Sequence, residues 1–229
     1  GLAANALWSL PLLAFGGAAG ATWTIYSLST QAGRTPLATL LLSGLAVSAF
    51  ATALTSLLLT LSQDIFAFRE VLFWLLGGLD GRGWSHVGLA AGPILVGGIF
   101  LLLFADELNI VAATGEAGAS SVGVEMQQAK RRILLLTALI TGAAVSVSGI
   151  IGFVGLIVPH IVRLIVGPDH RVLLPASFLG GACFLIWADL GARTIMPTQE
   201  LRLGVVTALL GAPFFLYLLQ RHRIRTEVV

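Results

Sequence analysis

Three side chains able to hold a metal or move protons fall close together in this chain: His160, Asp169 and His170. Two imidazoles and a carboxylate could build a hydrolytic or metal centre if they converged on one point. They stand where an apolar run gives way to polar residues, a setting in which such groups ordinarily serve as interface or hinge positions, and that reading is adopted. Neither an H-E-x-x-H metal motif nor a G-x-x-x-x-G-K-[ST] phosphate loop occurs, so ATP hydrolysis by that route is excluded. Cys183 is the only cysteine and lies inside an apolar run, so it reads as a small packing residue and no intrachain disulfide can form. No catalytic residue, metal or cofactor is assigned.

The elements that position these residues are hydrophobic. Of 229 residues, 57% are hydrophobic and 10% charged, against about a quarter charged in a soluble domain. Runs without Asp, Glu, Lys or Arg cover 1–33, 35–63, 83–105, 133–162, 172–188 and 203–220. Each reaches the roughly 17–25 residues that a helix needs to cross the hydrocarbon of a bilayer. The expected fold class is all-α, a polytopic membrane helical bundle, and one signal peptide or anchor would not produce so many runs. A net charge of +2 indicates no polyanion-binding surface and no nucleic-acid partner. The chain opens on Gly1 and passes almost directly into an apolar segment, so an N-terminal portion is expected to be missing.

Orientation follows the basic clusters, Lys130-Arg131-Arg132 and Arg221, Arg223, Arg225, which belong on the cytoplasmic side. Crossings are then expected at 5–28, 35–62, 87–104, twice within 133–166, at 172–188 and at 203–220, with Arg34 inside and Arg69, Arg82, Arg193 and Arg202 outside. The second crossing within 133–166 is short, about 151–166, and carries Gly152, Gly155 and Pro159 as bending points for gating. Outside, residues 64–84 bring Phe66, Phe68, Phe73, Trp74 and Trp84 together with four glycines, which predicts a short helix at the outer interface. Residues 189–202, with Asp189, Arg193, Pro197, Glu200 and Arg202, are expected to form a compact polar loop. Gly16, Gly20, Gly88, Gly92, Gly142, Gly180 and Gly181 are expected to let helices approach closely.

No carboxylate lies within the apolar windows, which counts against the alternative class, an ion-coupled secondary transporter. Energy for uphill movement would have to enter through the inside loop 105–132. Its core is Gly115-Glu116-Ala117-Gly118-Ala119-Ser120-Ser121-Val122-Gly123-Val124. Thr114 is expected as a helix N-cap with Glu116 in the first turn. Gly118 and Gly123 should keep that helix short or broken. On loop content alone, a segment received by a partner's groove and an amphipathic linker lying on the membrane remain equally open.

The stretch Gly149-Ile150-Ile151-Gly152-Phe153-Val154-Gly155-Leu156-Ile157-Val158-Pro159-His160-Ile161-Val162-Arg163 closely resembles the signature of the permease family of ABC importers for cobalamin, haem and ferric siderophores. The likeness continues through Asp169–Pro175, Ala188–Arg193, Gly204–Phe215 and Trp74–Gly78, and so along essentially the whole chain. It implies about seven of the family's ten helices, the first three being absent, in one permease domain over 1–229 with a cytoplasmic coupling loop at 105–132. Permeases of this kind pair as homodimers in the bacterial cytoplasmic membrane, with two cytoplasmic ATPase subunits and an extracytoplasmic substrate-binding protein. Carried over by position, Gly115, Glu116, Ala117, Val122, Gly123 and Val124 resemble the segment that couples to the ATPase. Gly118 departs from the helix former usual there. Arg193 matches the arginine that docks the binding protein. Leu201 and Arg202 follow Glu200 where the family has proline and a small apolar residue, which adds Arg202 to the docking face.

Overall fold

The computed structural model describes residues 2–30, 35–62, 64–195 and 201–226. Arg34, Pro197 and Glu200 lie outside the described residues. All regular structure among the described residues is helical: α1 (Leu2–Ser29), α2 (Leu37–Leu61), α3 (Ile65–Leu76), α4 (Trp84–Leu102), α5 (Ala105–Ser121), α6 (Met126–Ser148), α7 (Val154–Val166), α8 (His170–Ile195) and α9 (Leu203–Thr226).

A helix stands at each of the seven expected crossings. The helices α2, α4, α6 and α8 are long and apolar enough to span a membrane, and Val154–Val166 and Leu203–Leu218 are shorter apolar helices. The ambiguous stretch after residue 133 divides as expected: α6 ends at Ser148 and the short α7 begins at Val154. The predicted helix in 64–84 is α3, followed by a bend in which Gly77 and Gly81 take positive φ.

Two expected loops are largely helical. Residues 105–121 form α5, and α6 begins already at Met126, so Lys130, Arg131 and Arg132 ride on its first turns. The predicted polar loop at 189–202 is helical through Ile195, because Asp189 and Arg193 stand one turn apart and pair along α8.

The interior is built in reverse of a water-soluble protein. Buried apolar positions are mostly alanine (Ala90, Ala105, Ala119, Ala129, Ala138, Ala143, Ala188 and Ala192), whereas Leu41, Phe50, Ile65 and Trp187 are exposed. Leucine and phenylalanine gain nothing by leaving lipid for a protein interior, so helix contacts select residues that let backbones come close. No residue of α2 is buried within the chain.

The chain divides into two compact units. In the first, Gly1–Leu72 with Arg82–Val147, α1 packs on α2, and the Ser43 hydroxyl reaches the Ile25 carbonyl across that contact at 3.4 Å. Gly142 of α6 faces Ala18 and Phe15 of α1. In the second unit, Phe73–Gly81 with Ser148–Val229, α7 lies along α8, with Gly180 against Val158 and Val162. Gly16, Gly20, Gly88, Gly92 and Gly181 have open space where a side chain would stand, so close packing within the chain explains only two of the seven glycines expected to provide it. Cys183 is likewise exposed rather than packed.

The second unit is knotted at its backbone. Gly78 N–H donates to the Ser148 carbonyl at 2.8 Å, Ile150 N–H to Trp74 at 3.1 Å, and Gly204 N–H to Gly77 at 3.4 Å. A Cβ at Gly77, Gly149 or Gly204 would run into backbone atoms of these neighbours. Three strands of main chain therefore meet with no side chain between them.

Candidate coupling and docking sites

The segment expected to couple is delimited by two backbone devices. At Gly115 the chain adopts φ 71°, ψ 176°, which splits α5 into a longer piece ending at Thr114 and a short one over residues 116–121. That conformation belongs essentially to glycine alone. At the other end, Gly123 has φ 92°, Val124 N–H donates to the Ala119 carbonyl at 3.0 Å, and Gly123 N–H to Ser120 at 3.2 Å. This is a Schellman stop, which needs a residue in the left-handed region just past the helix.

The break therefore lies at Gly115 rather than Gly118, and Thr114 is not an N-cap. Its hydroxyl donates back to the Ile110 carbonyl at 2.8 Å, closing the preceding helix. Gly118 remains helical, and a Cβ there would strike the Thr114 side chain. Glycine at position 118 thus makes room for Thr114, one turn away across the kink.

The short helix is anchored on one side and bare on the other. Ala119 is fully buried, while Glu116, Ala117 and Gly123 are exposed and Val122 is 66% exposed. Glu116 Oε2 accepts from Lys130 Nζ at 2.7 Å. An open groove of about 920 Å³ runs alongside, lined among others by Thr35, Glu116, Ser120, Val124 and Lys130. The six residues expected to couple thus lie within one short segment, 115–124, whose Ala117, Val122 and Gly123 are exposed and whose Glu116 is tied at its carboxylate to Lys130. By sequence, Lys130 marks only the orientation of the chain. Its part here was hidden because the contact joins residues 14 positions apart across a turn.

The second cluster centres on a residue that the sequence did not single out. Asp80, in the bend after α3, accepts from Arg193 Nη2 at 3.2 Å and lies 3.9 Å from Arg202 Nη1. Arg193 is held on its other side by Asp189, through Nε at 2.8 Å and Nη2 at 3.3 Å. The two predicted docking arginines are therefore together, but they differ in access. The Arg193 side chain is 53% exposed and that of Arg202 only 14%. Arg202 lies over the Phe73 ring, 4.1 Å from its centre, in cation–π geometry. Arg193 presents a guanidinium to solvent, and Arg202 chiefly braces the base of the cluster.

The remaining candidates separate. Asp169 caps α8, its Oδ1 accepting from Arg171 N–H at 3.0 Å and its carbonyl from Leu173 N–H at 2.8 Å. His170 faces Arg163, 3.4 Å away, and His160 meets the Phe214 ring edge-on. Among the described residues no three His, Cys, Asp or Glu side chains come together as a metal site would require. Gly152 and Gly155 flank the start of α7 with open space around them, and Pro159 lies within it. The turn between them is made by Phe153, the one non-glycine with positive φ (66°) among the described residues. Nothing in its residue type announced that.

A polytopic membrane protein built on small-residue helix contacts, with one short exposed helix bounded by glycines, is the class these features define. The FecCD transport family model matches residues 2–221, and the chain belongs to that family. It is 49% identical over 212 residues to the cobalamin import system permease protein BtuC of Halobacterium salinarum, covering 93% of this chain and 56% of that protein. It is 44% identical over 218 residues to the hemin transport system permease protein HmuU of Yersinia pestis, covering 95% and 64%. The chain thus spans less than two thirds of these relatives. A solved chain of a metal-chelate type ABC transporter in an inward-facing conformation superposes with a TM-score of 0.77 at 29% identity, covering 93% of this chain and 75% of that one.

Proposed function

We propose that this chain belongs to one permease subunit of a binding-protein-dependent ABC importer, forming half of the translocation path in a homodimer. Its cargo belongs to the class of metal chelates and corrinoid or porphyrin macrocycles, as the relatives' names for cobalamin and hemin suggest. The observation that carries the reading is the short helix between Gly115 and Gly123, bare on one side and anchored on the other. Such an element delivers motion rather than chemistry, and the chain has no phosphate loop with which to bind ATP. ATP hydrolysis falls to two cytoplasmic subunits that receive Glu116, Ala117, Val122 and their neighbours in a cleft.

On the outer side Arg193 offers the guanidinium that a carboxylate of the loaded binding protein would meet, with Arg202 behind it. One exposed ion pair contributes only about 0–1 kcal/mol, so the contact steers association more than it holds it. Gly152, Gly155 and Pro159 give α7 the freedom to follow the lever. Localisation is the cytoplasmic membrane.

The deciding experiment reconstitutes the permease with its ATPase and binding protein in proteoliposomes and follows uptake of cyanocobalamin and of hemin. ATP-dependent uptake of either, abolished when the ATPase is omitted, is the expected result. Uptake without any ATPase would overturn the reading in favour of a secondary carrier.

A further inference from the structure

Lys130 lies on α6, outside the segment that meets the ATPase, yet one ammonium group joins two elements there. Its Nζ donates to Glu116 Oε2 at 2.7 Å and to the Thr35 carbonyl at 3.0 Å. Thr35 is 3% exposed and immediately precedes Pro36, the N-cap of α2. Its hydroxyl donates to Gln127 Oε1 at 3.0 Å, one turn before Lys130 on the same helix. The base of the coupling helix, the start of α6 and the entry to α2 are thus tied at one point.

We propose that Lys130 is the mechanical joint by which displacement of the 115–124 segment reaches α2, a positioning role that rests on the coupling reading above. Three features support it. An ammonium has three donors that can face different acceptors at once, which suits it to a three-way junction. With the side chain of Lys130 only 22% exposed, its two bonds are partly shielded from the water that loosens surface pairs. The helix it would move, α2, has no buried residue and its main contact within the chain is with α1, so no close-packed core opposes its tilting. Hydrogen-bonded connections of this kind carry motion between elements only if they stay closed while both move.

The test uses the permease assembled with its ATPase and binding protein in proteoliposomes. Spin labels at Ser121 and Leu42, both exposed, report the separation of the coupling segment from α2, with and without ATP, and need no knowledge of the cargo. In the otherwise unaltered assembly the separation should stay constant through the cycle. In Lys130→Met it should change on ATP addition, while uptake of cyanocobalamin or hemin per ATP hydrolysed falls about fivefold or more, the low end of measured coupling between sites. Lys130→Arg, whose guanidinium can still reach both acceptors, should keep most of the coupling. If Lys130→Met fails to assemble, Lys130→Gln replaces it, with the same loss expected.

Unchanged uptake per ATP in Lys130→Met would sink the joint. So would equal loss in Lys130→Arg, which would make the position one of packing alone. Failure of the unsubstituted permease to bind an ATPase at all would instead strike the coupling reading itself, and the joint with it.

Discussion

Arg193 and Arg202 carry the same charge from neighbouring places, and their surroundings give them different work. Arg193 is half exposed and held between Asp80 and Asp189, so its guanidinium is aimed before any partner arrives. Arg193→Glu should slow association with the binding protein on the order of tenfold at low salt, and the effect should shrink as ionic strength rises. Surface plasmon resonance on permease in nanodiscs reads both. Arg202 is largely covered and lies on Phe73. Arg202→Ala removes packing as well as charge, and should cost about 1–2 kcal/mol of stability, read by thermal unfolding in detergent. Asp80 shows what a sequence does not disclose at this scale. It stands in a glycine-rich bend and forms its pairs with residues more than a hundred positions away, and no local spacing signals such a partner.

At the scale of elements, α5 shows how a glycine can be read correctly as a breaker and placed wrongly. Gly118 and Gly123 both weaken a helix by propensity, and the expectation was a short or broken piece. Propensity could not say that Gly115 would take the glycine-only conformation while Gly118 stayed helical under Thr114. The helices at the seven expected stretches were legible because an apolar run marks each one, and four of them are long and apolar enough to span a membrane. The ends were not. Local pairs such as Asp189 with Arg193 carry a helix beyond its apolar run, and the apolar run was all that composition marked. Gly115→Ala should cost about 1–3 kcal/mol at that site. The strain is relieved if residues 105–121 straighten into one helix, which would turn Glu116 away from Lys130. The expected outcome is a permease that still inserts and purifies but retains less ATPase through affinity purification than the unsubstituted chain. Undiminished retention would show that the kink does not place the segment.

For the whole molecule, the decisive feature is how little of the membrane helices the chain covers for itself. Only 6% of the most apolar window of α2 is buried, and 17% of that of α6. Lipid or another protein must take the rest, because contiguous apolar surface on this scale is not tolerated in water. The permease should therefore remain with membranes through alkaline carbonate washing and aggregate when detergent is removed. If α2 borders a path shared by two copies, light scattering of the purified assembly should give two permeases with two ATPases. An assembly holding a single permease with a single ATPase would refute the homodimer.

The meeting of three main chains at Trp74–Gly78, Ser148–Ile150 and Gly204 has a consequence for how this protein can be probed. Substitution of Gly77, Gly149 or Gly204 would read as catastrophic through crowding alone, whatever the three backbone hydrogen bonds contribute. An alanine scan is blind to those bonds. Replacing the Gly78 amide by an ester, which deletes one donor and adds no bulk, would isolate their share, and semisynthesis is the route by which this junction can be dissected.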